Sequence, residues 1–214
     1  MEGVFISFEG VEGSGKSTQA AKLYEYMKLK GNDVMLIREP GGTKIGEQVR
    51  TILLDPENKG MDYYTESCLY AAARAQLVNE VIKPALEAGK IIICDRFVDS
   101  SYAYQAMARG LGFEKVSSVN APAIENAMPH VTVFIDISPE EGLARRKNTD
   151  KFDRLDQEAL AFHKKVYNGY IELVEMFADR FLTISGTGNE NEVFDEMKYK
   201  LQQRLSYIEK EVIL

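Results

Sequence analysis

Residues Gly10 to Ser17, Gly-Val-Glu-Gly-Ser-Gly-Lys-Ser, fit the spacing G-x-x-x-x-G-K-[ST]. They stand between an apolar run, Val4 to Phe8, and a helical pattern carried by Leu23, Tyr24 and Met27. A strand, a glycine-rich turn and a helix in that order make a phosphate cradle. The glycines let the backbone curl so that successive N–H groups point inward, and the helix N-terminus adds partial positive charge. Gly10, Val11, Glu12, Gly13, Ser14, Gly15, Lys16, Ser17 and Thr18 are therefore expected to surround a nucleoside triphosphate. Lys16 would reach the outer phosphates and Ser17 a magnesium ion. Glu12 is the anomaly, because a carboxylate within a few ångströms of a triphosphate repels it unless a cation intervenes.

Such a loop needs a sheet to hold it. Val4 to Phe8, Val34 to Ile37, Ile91 to Cys94, Val131 to Ile137 and Phe181 to Ile184 are near-continuously apolar, the pattern of parallel strands covered on both faces. Helical patterns lie between them. Thr65 to Ala88 contains Pro84, which should kink or restart the helix. Ser138-Pro139-Glu140-Glu141 has capping-box spacing with proline at the first helical position. A further helix is expected from about Leu155, through Ala159, Phe162, Val166, Tyr170, Leu173 and Phe177, and a last one over Glu190 to Ile208. Alternating strands and helices predict an α/β protein of the P-loop NTPase type: three layers, with a five-stranded parallel sheet flanked by helices. The 214 residues fit one domain, and "RRKNTDKFDR", Arg145 to Arg154, reads as a polar, mostly basic and mobile stretch between two helices, which the family resemblance described below makes a small lid.

Composition narrows the partners. Acidic residues outnumber basic ones, 33 to 26, for a net charge of -7, which argues against general nucleic-acid affinity. No apolar run is long enough to span a bilayer and no signal peptide is evident. Cys68 and Cys94 sit among apolar residues without metal-ligand spacing, and read as two buried thiols in a reducing, cytoplasmic compartment.

A magnesium site also wants a carboxylate at the end of a neighbouring strand. Asp95, closing "IIICD", and Asp136, closing "VTVFID", both qualify; Asp95 is favoured because Arg96 follows it and puts a cation beside the metal, whereas Asp136 reads as a strand-end or capping residue. A GTPase should show N-K-x-D, and "NTDK" at Asn148 to Lys151 is not that sequence. A kinase of a small substrate needs an acceptor pocket instead. Tyr70 and Arg74 share one helical face at four-residue spacing, and Ser101, Tyr104 and Gln105 share another just after Asp95 and Arg96, so a flat base would fit between them. The same spacing also suits a core Tyr70, an Arg74 paired with a surface acid and a solvated Arg50.

At this point a family can be named. "FEGVEGSGKST", "REPGGT" at Arg38 to Thr43, "YAAARAQ" at Tyr70 to Gln76, "DRFVDSSYAYQ" at Asp95 to Gln105 and "RLDQE" at Arg154 to Glu158 together resemble bacterial thymidylate kinases, in order and at similar spacing over about Val4 to Ala178. The resemblance implies transfer of the γ-phosphate of ATP to dTMP, a step of dTTP synthesis, with magnesium as cofactor, on a homodimer. It implies that Tyr70 stacks on thymine while Arg74 and Gln105 hydrogen-bond its edge with help from Ser101, and that Tyr104 crowds the sugar. Arg50 and Arg96 would hold the acceptor phosphate, and Glu39 and Pro40 would form the pocket wall. Lys16, Arg96 and the lid residues Arg145, Arg146 and Arg154 would neutralise the transferring phosphoryl group. Glu12 would face the acceptor, touching its 3′-hydroxyl or organising the magnesium ion and the phosphate-binding arginine. Some relatives carry Phe at the stacking position and Tyr after the Asp-Arg pair, where this chain has Tyr70 and Phe97. One subgroup follows the loop acid with a basic residue; here Gly13 follows and the positive charge lies in the lid, as in bacteria. The readings that compete are another small-metabolite kinase on the same scaffold and a non-catalytic ATP-binding switch.

Overall fold

Apolar side chains, mostly β-branched or aromatic except in β2, dominate five segments that form strands: β1 (Val4–Glu9), β2 (Val34–Arg38), β3 (Ile91–Asp95), β4 (Val131–Asp136) and β5 (Phe181–Ser185). The computed structural model describes residues 3–146, 154–155 and 157–207. In them the strands pair in parallel in the order β2-β3-β1-β4-β5. β1 is therefore central, and Phe8 faces Asp95 on one side and Val133 on the other. All five expected strands are present, with ends that move by one residue.

Alternation along the strands divides the core in two. Val4, Ile6 and Phe8 meet Ile91, Ile93, Val131, Val133 and Ile135 beneath helices α1 (Lys16–Leu29) and α9 (Glu190–Tyr207). Phe5, Ile92, Cys94 and Phe134 face the other way, toward the longer helical run. Each such fully buried side chain contributes about 1.5–3 kcal/mol relative to exposure, so the sheet is fixed by burial on both sides. Ser7 and Thr132 lie on the second face, and their hydroxyls bond each other at 2.9 Å rather than break the packing.

That second face is covered by a helical run with readable punctuation. Thr43 caps α2 (Lys44–Leu54) by accepting from the Gly46 N–H at 2.9 Å, and Asp62 caps α3 (Tyr63–Leu77) through the N–H groups of Tyr64 and Thr65. After α3 a π-helical turn, Val78–Ile82, leads into α4 (Lys83–Glu87), with Pro84 in its first turn, so the expected interruption falls as a change of helix type just before the proline. α5 (Val98–Ser101) continues through a second π-helical stretch, Tyr102–Ala108, and α6 (Phe113–Ile124) follows. Ser138 caps α7 (Pro139–Arg146) by accepting from the Glu141 N–H at 3.2 Å.

Two expectations are corrected. Helix α8 (Leu160–Met176) starts at Leu160 rather than near Leu155. Arg154 lies 2.7 Å from Glu66 of α3, and Glu158 lies 2.6 Å from Arg109, so long-range ion pairs dock these two residues before the helix begins. Cys94 is buried, but Cys68 is exposed on the outer side of α3. Residues 147–153 of the expected lid and Ile208 of the expected last helix lie outside the described residues. Among the described residues no helix is long and apolar enough to cross a membrane.

α7 presses directly on the phosphate loop. A Cβ on Gly142 would stand 2.2 Å from the Glu12 carbonyl oxygen, and one on Gly13, whose φ is 70°, would stand 2.0 Å from the Gly142 carbonyl oxygen. Gly142→Ala would gain about 1 kcal/mol of helix propensity, yet the clash is with backbone, and overpacking costs about 1–3 kcal/mol. We expect this variant to melt several degrees lower in a thermal-shift assay; an unchanged or raised melting temperature would contradict this close packing.

Candidate active site

The carboxyl ends of β1, β2 and β3 place Glu9, Arg38 and Asp95 along one edge, where open parallel sheets bind ligands. Beside them Gly15, whose φ is 92°, precedes α1, which has no side-chain cap and no acid in its first turn. Its leading N–H groups are thus available to an anion. Lys16 is buried, with Nζ 3.3 Å from the Val11 carbonyl oxygen and 3.9 Å from the Glu12 carboxylate. Burial, and then Arg96, lower its pKa, while Glu12 opposes the shift. Gly13, Gly15, Ser17 and Thr18 line an outer cleft with Arg145 and Arg146, while Gly10, Val11 and Ser14 shape the loop behind it.

The loop acid has a partner. Arg96 Nη2 donates to Glu12 at 2.7 Å, and the Tyr104 hydroxyl donates to the same carboxylate oxygen at 3.0 Å. Burial alone would raise the Glu12 pKa, but Arg96, Lys16, Tyr104 and Arg146 outweigh it and hold this carboxyl well below the usual carboxylate range. Arg96 itself has a φ of 70°, a left-handed conformation costing a non-glycine residue about 1–3 kcal/mol. It is fixed on all sides: its N–H donates to the Phe8 carbonyl at 2.9 Å, and its guanidinium reaches Gly10, Ser100, Tyr104 and Tyr170 within 3.1 Å. Behind it Glu9 accepts from the Phe97 N–H at 2.7 Å, the Ser100 hydroxyl at 2.6 Å and the Tyr170 hydroxyl at 2.7 Å. Burial, then the Asp99 carboxylate, raise the Glu9 pKa. Asp99 in turn is clamped by both Nη atoms of Arg180, at 2.6 and 2.8 Å.

One cleft runs from this pair into the expected acceptor pocket. Glu12, Lys16, Ser17, Asp95 and Arg96 line it together with Glu39, Pro40, Arg50, Tyr70, Ser101, Tyr104, Gln105 and Arg146. Arg50 donates to the Pro40 carbonyl at 2.8 Å. Asp95 Oδ1 is buried without a hydrogen-bond partner and shares the cleft with Ser17, a donor set that fits a hard cation keeping most of its shell as water and phosphate oxygen. Asp136 instead accepts from the Tyr167 hydroxyl at 3.0 Å.

Two residues stand elsewhere than expected. Arg74 lies behind the pocket wall, buried, and commits its N–H groups to Glu39 at 2.5 and 2.8 Å, Ser101 at 3.0 Å, the Phe97 carbonyl and Asn120. In this arrangement it sets Glu39 and Ser101 rather than facing the cavity. Arg154 is buried against Glu66 and donates to the Leu53 carbonyl at 2.9 Å, so it does not face the phosphate loop. Arg145 is tied to Glu141 at 2.5 Å and to the Gly186 carbonyl at 2.9 Å. Of the three lid arginines, Arg146 lines both parts of the cleft.

Sequence reasoning passed over Glu9, Glu66, Ser100 and Tyr170. A signal existed for three of them. Glu9 is the one charge in an otherwise uncharged strand, Glu66 shares the four-residue spacing of Tyr70 and Arg74, and Ser100 lies midway between Arg96 and Tyr104 at that spacing. Tyr170 carried no signal beyond its place in an apolar stripe.

A family model described as thymidylate kinase matches residues 8–197. The thymidylate kinase of Thermoanaerobacter sp. (strain X514) is 55% identical over 186 residues, covering 87% of this chain and 91% of that one. The thymidylate kinase of Geobacillus thermodenitrificans (strain NG80-2) is 49% identical over 207 residues, 96% of this chain and 92% of that one. Among solved structures, thymidylate kinase from Ehrlichia chaffeensis superposes with a TM-score of 0.77 at 32% identity, covering 94% of this chain and 99% of that one.

The low pKa of Glu12 has a pH consequence. A carboxyl whose folded pKa is depressed adds stability that is complete above its unfolded value, about 4.3, and is lost as the pH falls through the folded value. The stability advantage of the native chain over Glu12→Gln should therefore be level above about pH 5 and shrink below it, measured from urea midpoints. A gap that widened on acidification would contradict the assignment.

Proposed function

The chain belongs to the thymidylate kinase family: it is a phosphotransferase that converts ATP and dTMP to ADP and dTDP, in dTTP synthesis, and we propose that the phosphate loop and the pocket beside it carry that reaction as one site. The observation that carries this reading is the Glu12–Arg96 contact, which lies in a single cleft reaching from Lys16 and Ser17 to Tyr70 and Gln105.

In this reading the loop N–H groups and Lys16 hold the donor phosphates, Tyr70 stacks on the thymine, and Ser101 and Gln105 meet its polar edge. Arg50 and Arg96 hold the acceptor phosphate, and Tyr104 closes on the sugar. An oxygen of that phosphate attacks the γ-phosphorus as the bond to the β-phosphate oxygen breaks, and ADP leaves. The attacking oxygen is already anionic, so no strong base is needed, and the residues act by alignment and by neutralising charge. Ser17 and Asp95 would hold magnesium, which supplies further charge neutralisation at the phosphates. Glu12 keeps Arg96 aimed at the junction of donor and acceptor. Arg74 serves the base through Glu39 and Ser101, and Arg146 supplies cationic cover from the 145–154 lid of a single domain.

We further read the chain as a cytoplasmic homodimer without nucleic-acid or membrane partners. In favour are the free thiols Cys68 and Cys94, the net charge of -7, and exposed Ile45, Ile52, Tyr63 and Tyr64 on α2 and α3, an apolar surface suited to a second copy.

ADP release measured with dTMP, dUMP, UMP, CMP and AMP tests the acceptor. We expect dTMP to give the highest kcat/KM; release at the same rate with no acceptor would point to an ATPase. Arg146→Ala should lower kcat by about 100-fold or more while ATP affinity, measured by titration, changes only a few-fold. Equal loss of both would remove Arg146 from the transition state.

A further inference from the structure

We propose that Glu66 is a positioning residue that sets which way the Gln105 amide faces, and through it the choice between pyrimidines. The inference rests on the reading of dTMP as acceptor.

Glu66 sits on α3, one turn before Tyr70 and two before Arg74, and is fully buried. Its Oε1 accepts from Gln105 Nε2 at 2.8 Å and from Arg109 Nε at 3.3 Å, while its Oε2 lies 3.3 Å from Arg109 Nη2 and 2.7 Å from Arg154 Nη2. A carboxylate held between two guanidinium groups only accepts hydrogen bonds. The Gln105 amide must then turn its nitrogen toward Glu66, which leaves the carbonyl oxygen on the other side of a residue that lines the pocket. A buried acceptor favours a base that brings an N–H and disfavours one that brings a lone pair. Thymine carries a hydrogen on N3, and cytosine has a lone pair there. Left to itself, an amide could rotate and suit either base; Glu66 removes that freedom.

The carboxylate also ties the pocket to the far end of the lid. Arg154 docks on it directly, and Arg109, 2.6 Å from Glu158, docks on it from the other side. A simpler role, neutralising two buried arginines, explains the ion pairs but gives the amide orientation no consequence for binding. The two roles differ in what they do to discrimination.

The experiment compares dissociation constants of dTMP and dCMP, by titration calorimetry, for the native chain, Glu66→Gln and Glu66→Asp. Glu66→Gln keeps the volume but can offer a donor to Gln105; Glu66→Asp keeps the charge and withdraws it from the amide. We expect the preference for dTMP over dCMP to fall by about tenfold in either variant, with ATP affinity unchanged, and we expect Glu66→Gln to change the ratio no further in a Gln105→Leu background. Should Glu66→Gln fail to fold, Glu66→Asp carries the comparison. Equal weakening of both nucleotides, or an undiminished shift without Gln105, would overturn the proposal. Absence of dTMP-dependent ADP release from the native chain would overturn the acceptor reading instead.

Discussion

The contact between Glu12 and Arg96, 2.7 Å long and mostly shielded from solvent, is the constraint around which the site is organised. It places an acid inside an anion cradle and a cation on a left-handed backbone, two features that are unfavourable apart. Together they compensate one another: the guanidinium neutralises the acid, and removing either partner would leave the other's charge unpaired at a cost of about 3–5 kcal/mol. Glu9, Ser100, Tyr104 and Tyr170 then form a rigid surround that leaves the guanidinium a single position. The loop that holds the donor and the strand that leads to the acceptor are joined by this pair. The puzzle of a glutamate among phosphates is resolved by a neighbour that lies 84 residues away in the chain.

How the sequence foretold the fold differs from how it foretold the site. Parallel strands buried on both faces leave a strong mark, because Ile91, Ile92 and Ile93 can all be apolar without penalty, and the expected strands fall where the periodicity places them. The phosphate loop was equally legible, since its geometry demands glycine and lysine at fixed spacing. The start of α8 was not legible. Leu155 fits the apolar stripe, yet ion pairs of Arg154 and Glu158 with distant residues hold that stretch out of the helix. Tertiary charge pairing there overrides local periodicity.

The same reason explains Arg74 and Arg154. Helical spacing puts Arg74 on the face of Tyr70, which is correct, but spacing does not reveal that Glu39, 35 residues earlier, takes its guanidinium. Arg154 follows a basic stretch and reads as part of a lid, while its actual partner is Glu66 on a helix that passes behind the pocket. Buried arginines choose carboxylates by proximity in space, and a single sequence records that choice only faintly. Cys68 errs in the opposite direction: its apolar neighbours suggested burial, but it faces outward on α3.

The site depends on Glu12 and Arg96 acting as one unit. A double-mutant cycle on kcat/KM for dTMP, using Glu12→Gln, Arg96→Ala and the combined variant, measures that dependence directly. We expect the combined variant to be little worse than the worse single one, with a coupling of about 1.4 kcal/mol or more, at least tenfold. Losses that simply multiply would show that the two residues act independently and would contradict that dependence.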